Sequence, residues 1–217
     1  MTYNKIQQEY INRRKEDIKK TQTIEQFVDK IYKEHHFNMK RITDKKLQKK
    51  GVDIIHNIDG KRNYVDEKFA INFYNKKLNT FAFELSSNNN KNNKGWFISD
   101  HMITTHYIIL WFQANDDFTD IYTYDLCYID KQKLKQYLRS IGYYDGIVDE
   151  FNDYWKHGQY TNPDSNYFIK NNRRYLKLSD GVKIVQSLQF KVETPINIVV
   201  PRIKLYDLAD FHFYKNK

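Results

Sequence analysis

Three side chains in the segment GVDIIHNIDGKRNYVDEK, residues 51–68, have the types and spacing for phosphate chemistry. Asp53 and Asp66 each sit inside a short apolar run, where a strand normally keeps charge off its buried positions, and Lys68 follows Asp66 by two residues. Side chains alternate across a strand, so Asp66 and Lys68 share one face and Glu67 takes the other. If the two runs pair around the polar turn between them, Asp53 comes close to the 66–68 segment. Two neighbouring carboxylates repel unless a cation lies between them, and hard oxygen ligands suit Mg²⁺ or Mn²⁺. A lysine beside such an ion can orient or deprotonate a water and stabilise charge that builds on a phosphate. The constellation is one for phosphodiester hydrolysis. The same triplet also suits a hairpin start followed by a solvent-facing ion pair. The spacing to Asp53 and the Gly51 just before it favour a site.

The elements that must hold these residues can be read around them. Asp-Gly between two apolar runs is a hairpin signal, giving strand VDIIHNI, turn DGK and strand NYVDEKFAINF. Upstream, residues 3–20 form a charged helical stretch, and Thr23 is expected to cap a second helix whose apolar stripe is Ile24, Phe27, Val28 and Ile31. The basic segment RITDKKLQKK reads as a loop. Downstream come strands NTFAFELS, HYIILWF and IYTYDLCYI, then a helix KQKLKQYLRS capped by Asp130 and ended by Gly142. A helical piece near 145–157 and strands at 173–178, 182–191 and 196–200 complete the reading. The low-complexity stretch SSNNNKNNKG, residues 86–95, is expected to be an exposed, mobile loop. No internal repeat or break in composition divides the chain. The expectation is one α/β domain, a mixed central sheet flanked by helices, with an N-terminal helical extension (1–22), a core (23–140) and a C-terminal elaboration (141–217).

Several other chemistries find no support. The single cysteine, Cys127, excludes an intramolecular disulfide and a Cys-based zinc site, and it reads as a small core residue. His35 and His36 are adjacent, which is poor geometry for shared metal binding on a helix. No Ser-His-Asp order, glycine-rich phosphate loop or zinc pattern is present. Trp96 and Trp111 read as core anchors rather than as base-stacking platforms. Glu84, in FAFELS, is either a further metal ligand or a polar contact on the neighbouring strand.

The order helix, Asp-bearing strand, turn, Asp-x-Lys strand, further strand resembles the PD-(D/E)xK nuclease superfamily, with its restriction-endonuclease-like fold. Asp53 matches the first acidic position, Asp66 the second and Lys68 the lysine. QKKGVD, YVDEKFA, TFAFELS and GWF look like a group of uncharacterised bacterial and phage proteins assigned to that superfamily. The resemblance is clearest over residues 24–112, with TPINIVVPRIKL adding to it near the end. The proline that often precedes the first aspartate is replaced by Val52. The resemblance implies a metal-dependent nuclease that hydrolyses DNA, with Asp53 and Asp66 as Mg²⁺ or Mn²⁺ ligands. It also implies that Glu67 lends its backbone carbonyl to the metal, and that an acid such as Glu25 or Glu34 comes from the preceding helix. The rival expectation is a catalytically silent nucleic-acid- or protein-binding module of phage or mobile-element origin.

Charge and composition bear on the partner. The 217 residues carry a formal net charge of +9, with 18 Tyr and 14 Phe but only 7 Gly and 3 Pro, which fits a folded chain with a phosphate-rich partner. Lys45, Lys46, Lys49 and Lys50 precede Asp53, and Lys61 and Arg62 sit in the hairpin turn. Lys76, Lys77, Lys91 and Lys94 occupy the two following loops. Such loops can hold a phosphate backbone without reading sequence. Nucleic acid is therefore the expected partner, DNA being what the resemblance implies, with a homodimer left open. The polar N-terminus MTYNKIQQEY and the short apolar run YIILWF argue against a signal peptide and a membrane span. The expected location is the cytoplasm of a bacterium or of a phage-infected cell.

Overall fold

A computed structural model describes residues 3–87, 94–157, 166–188 and 194–216, with side chains from residue 18 onward. Residues 88–93 of the asparagine-rich stretch, and Lys91 with them, lie outside the described residues. The chain is mixed α/β, with two open sheets and five α-helices among the described residues.

The first helix, α1 (Tyr3–Glu34), runs without a break. Thr23 therefore caps nothing: its hydroxyl donates to the Lys19 carbonyl one turn back, inside the helix. The two expected helices are one because no proline or glycine interrupts the helical pattern between them. Ile24, Val28, Ile31 and Tyr32 form a buried stripe. The segment read as a basic loop is also ordered. A short strand, β1 (Met39–Arg41), ends on the segment's first residue, and the segment holds one helical turn, α2 (Lys45–Gln48), whose N-cap Asp44 accepts from the Lys46 amide at 2.7 Å.

The hairpin β2 (Ile54–Ile58) and β3 (Lys61–Phe69) is closed by Asp59 and Gly60, both at positive φ (48° and 76°). Two central residues with positive φ make the tight turn whose twist suits a hairpin, and Asp-Gly is its preferred sequence. β3 then pairs in parallel with β5 (His106–Ala114), which pairs antiparallel with β6 (Ile121–Asp130). The last strand, β11 (Phe211–Asn216), closes the other edge, giving a six-stranded mixed sheet in the order β1-β2-β3-β5-β6-β11.

β4 (Thr80–Ser86) departs from the single central sheet of the sequence reading. It belongs to a second, antiparallel sheet, β4-β10-β9-β8-β7, built with β7 (Tyr167–Lys170), β8 (Arg173–Lys177), β9 (Lys183–Ser187) and β10 (Ile196–Pro201). The reason lies in burial. Phe83 and Leu85 of β4, Ile184 of β9 and Ile198 and Val200 of β10 give each strand one apolar face. These faces pack onto Tyr107, Ile109 and Trp111 of β5. On the opposite side of the first sheet, Ile108, Leu110 and Phe112 pack with the α1 stripe. β5 is thus covered on both faces, which explains its unbroken apolar run. Helices α3 (Lys131–Ser140), α4 (Ile147–His157) and α5 (Arg202–Leu208) cover the side of the second sheet. Residues beyond 141 supply strands to both sheets.

Candidate active site

The hairpin register determines the centre of the site. Ile54 pairs with Val65 and Ile58 with Lys61, so Asp53, one residue ahead of β2, comes beside the Val65–Glu67 segment of β3. The Asp53 amide donates to the Val65 carbonyl at 2.9 Å, and its carboxylate accepts from the Glu67 amide at 2.9 Å. The two carboxyl groups lie within hydrogen-bonding reach of each other. Lys68 Nζ lies 2.7 Å from Asp66 Oδ1 and 4.3 Å from the centre of the Trp96 ring. All three sequence-predicted residues therefore meet on one face of β3. Trp96, read as a core anchor, does pack against Phe83 and Tyr107, and it also carries the Lys68 ammonium.

Burial dominates the electrostatics. Asp66 is 4% exposed, and its carboxyl is pushed up to about 7, chiefly by desolvation. Lys68 lowers it and the Asp53 carboxylate raises it. The wall beside Asp66 is built by Gly51, at φ +75°. A Cβ there would lie 2.5 Å from Thr104 Oγ1 and 3.7 Å from Asp66 Oδ2. Thr104 Oγ1 donates to the Gly51 carbonyl at 2.6 Å, fixing the approach.

Glu67 points to the other face of β3, as the alternation requires, and its side chain is structural. Tyr32 Oη donates to Glu67 Oε1 at 2.8 Å, and Arg41 clasps the same carboxylate with two nitrogens. Arg41 also reaches Asp29 Oδ1 at 2.6 Å and Glu25 Oε1 at 3.5 Å. The network ties α1 and β1 to the strand that carries Asp66. Burial raises the Glu67 carboxyl to about 7 against the lowering effect of Arg41 and Tyr32. Glu25 feels both Arg41 and Asp53, and burial raises its carboxyl too. Sequence reasoning named Glu25 but missed Arg41 and Tyr32, because charged and aromatic residues at these spacings carry no motif.

Glu84 lies on the second sheet, opposite Asn197, alternating with the inward-facing Phe83 and Leu85. Lys45 and Lys46 are exposed on α2, and Lys49 and Lys50 are exposed just after it, on the approach to Asp53. Lys61 and Arg62 are exposed at the start of β3. Lys94 pairs with Asp100. Lys76 and Lys77 line a separate cavity of about 340 Å³ with Trp111, Asp125 and Arg202.

A second lysine on the Asp66 face was not anticipated. Lys131, the first residue of α3, is 4% exposed and interacts with both Asp66 and Lys68. Burial and the neighbouring lysines Lys135 and Lys68 bring its ammonium down to about 8. Pairing explains the placement: Asp66 neighbours Tyr107 on β5, Tyr107 neighbours Ile129 on β6, and Lys131 follows two residues later.

A second constellation joins Asp125, Cys127 and His212, whose ligand atoms all lie within 4.8 Å of one another, a set that could hold a metal ion. It amends the sequence reading that set Cys127 aside as core. Cys127 is indeed buried, but β11 brings His212 directly opposite it. Asp125 is already engaged there: it accepts from Arg202 and Tyr206 and lies 2.7 Å from His212 Nε2.

Among the described residues, no helix is long and apolar enough to cross a membrane. Comparison of the chain with models of known protein families, with curated proteins and with solved structures gives no match.

Proposed function

We propose that the chain is a metal-dependent nuclease that hydrolyses DNA phosphodiester bonds at Asp53, Asp66 and Lys68. The observation that carries this reading is the convergence of two carboxylates and a lysine on one face of β3, with Asp66 almost fully buried. Two carboxylates held this close repel each other when ionised, and a divalent cation relieves that repulsion. The donor set fits Mg²⁺ or Mn²⁺: Asp53 and Asp66 offer hard oxygens, and Mg²⁺ usually takes one or two carboxylates with waters and substrate phosphate as its other ligands. Bound there, the ion would polarise the phosphate and lower the pKa of a coordinated water.

The chain's own residues supply the rest. Glu67 N–H fixes the Asp53 carboxylate, leaving its second oxygen for the metal. Lys68, steadied by Asp66 and the Trp96 face, orients the attacking water and offsets charge that develops on the phosphate. In the reaction the water oxygen bonds to phosphorus, one P–O ester bond breaks, and the departing oxygen takes up a proton. Exposed Lys45, Lys46, Lys49 and Lys50 suit contacts to the DNA backbone.

The test is cleavage of plasmid and single-stranded DNA with Mg²⁺ and with Mn²⁺. Asp66→Ala and Lys68→Ala should lose turnover, and Asp66→Ala should bind DNA as well as or better than the parent, since a charge that repels phosphate is gone. A wild-type protein inert on DNA and RNA with either ion, yet binding one of them tightly, would leave a binding module in place of the enzyme.

A further inference from the structure

Two polar groups on the Asp66 side of the first sheet have no hydrogen-bond partner among the described residues. Tyr107 Oη is buried without a hydrogen bond, and its hydroxyl is held well above the usual phenol range by burial and by Asp66. Lys131 is 4% exposed, with its Nζ 5.8 Å from the centre of the Tyr107 ring. Among the described residues its ammonium has neither a carboxylate within ion-pair distance nor a hydrogen-bond acceptor. The other partly buried cations differ: Lys68 has Asp66, Arg41 has Glu67 and Asp29, and Arg202 has Asp125.

Position adds to the anomaly. Lys131 opens α3, where the helix dipole disfavours a cation, and the Asp130 cap is already used by the Gln132 and Lys133 amides. Polar groups of buried residues that lack partners are uncommon and call for a ligand or water to complete them. A lysine serving only as packing would be better replaced by methionine.

We propose that Lys131 is a phosphate-binding residue of the carboxylate site, its Nζ contacting a non-bridging oxygen of the phosphodiester that Asp53, Asp66 and Lys68 act on. This inference rests on the nuclease reading for its substrate. An anion there would pair the Lys131 ammonium, which has no carboxylate partner of its own among the described residues.

Calorimetry of inorganic phosphate binding in the presence of Mg²⁺, together with DNA cleavage kinetics and Mn²⁺ titration, tests it on the full chain. Lys131→Met should weaken phosphate binding by about tenfold or more and lower kcat by roughly 100-fold, with Mn²⁺ affinity within about twofold of the parent. Lys131→Arg should recover phosphate binding. Lys131→Met should also unfold at the same or a higher temperature than the parent, because it removes a buried charge; if it does not fold, Lys131→Gln takes its place. If Lys131→Met binds phosphate and cleaves DNA like the parent, Lys131 is packing and the proposal falls alone. If the parent cleaves nothing, the nuclease reading falls, and the phosphate arm still decides the role of Lys131.

Discussion

The Asp53 carboxylate reaches across the hairpin to Asp66, and the backbone amide of Glu67 donates to it at 2.9 Å. The pairing places two acids where only one can ionise cheaply without a cation, and this has consequences for stability as well as for chemistry.

The Asp66 carboxyl is raised from 3.8 to about 7 in the folded chain. A raised acid contributes stability that is full below its unfolded value and is lost as pH climbs through its folded value. Asp66→Asn should therefore unfold at nearly the parent temperature at pH 4. At pH 8 it should gain roughly 1–3 kcal/mol, several degrees in Tm, the size expected for removing a buried charge. Mg²⁺ should stabilise the parent more at pH 8 than at pH 6, and stabilise Asp66→Asn little. Thermal melts at the three pH values, with and without Mg²⁺, read all of this.

Arg41 is the cation that makes buried Glu67 tolerable. Arg41→Ala should cost roughly 3 kcal/mol, because it strands a carboxylate between α1 and β3. Adding Glu67→Gln should return much of that loss. Additive effects in urea unfolding of the two single variants and the double variant would show that the two side chains are not coupled.

The two positive-φ glycines of the hairpin region should respond differently. Gly60→Ala meets nothing within 4 Å and should cost only about 1 kcal/mol of backbone strain. Gly51→Ala adds a collision with Thr104 Oγ1 beside Asp66, so it should cost more and should also weaken metal binding. Equal melting temperatures for the two variants would contradict this account of the site wall.

Charge reversal at exposed Lys49 and Lys50 should weaken DNA binding and reduce the steepness of its salt dependence by about two phosphate contacts. Metal affinity should stay as it is. Binding measured across a salt series separates this from a general loss of fold.

The sequence by itself determined the heart of the candidate site. Asp59-Gly60 is a two-residue turn signal, and once that turn closes, counting outward sets Asp53 against Asp66; the period of a strand then puts Lys68 on the same side and Glu67 on the other. Such local rules need only neighbouring residues. What they could not decide was which partner each half-apolar strand would choose. Alternation in TFAFELS announces a buried face but is silent on which sheet buries it, and long-range pairing sent β4 to β10 while β3 took β5. Arg41, Tyr32 and Lys131 reach the site by the same long-range route, from α1, β1 and the β6–α3 junction. The contacts of Arg41 and Tyr32 to Glu67 span 26 and 35 residues of sequence, and only the packing of a core against each face of β5 brings such distant residues together.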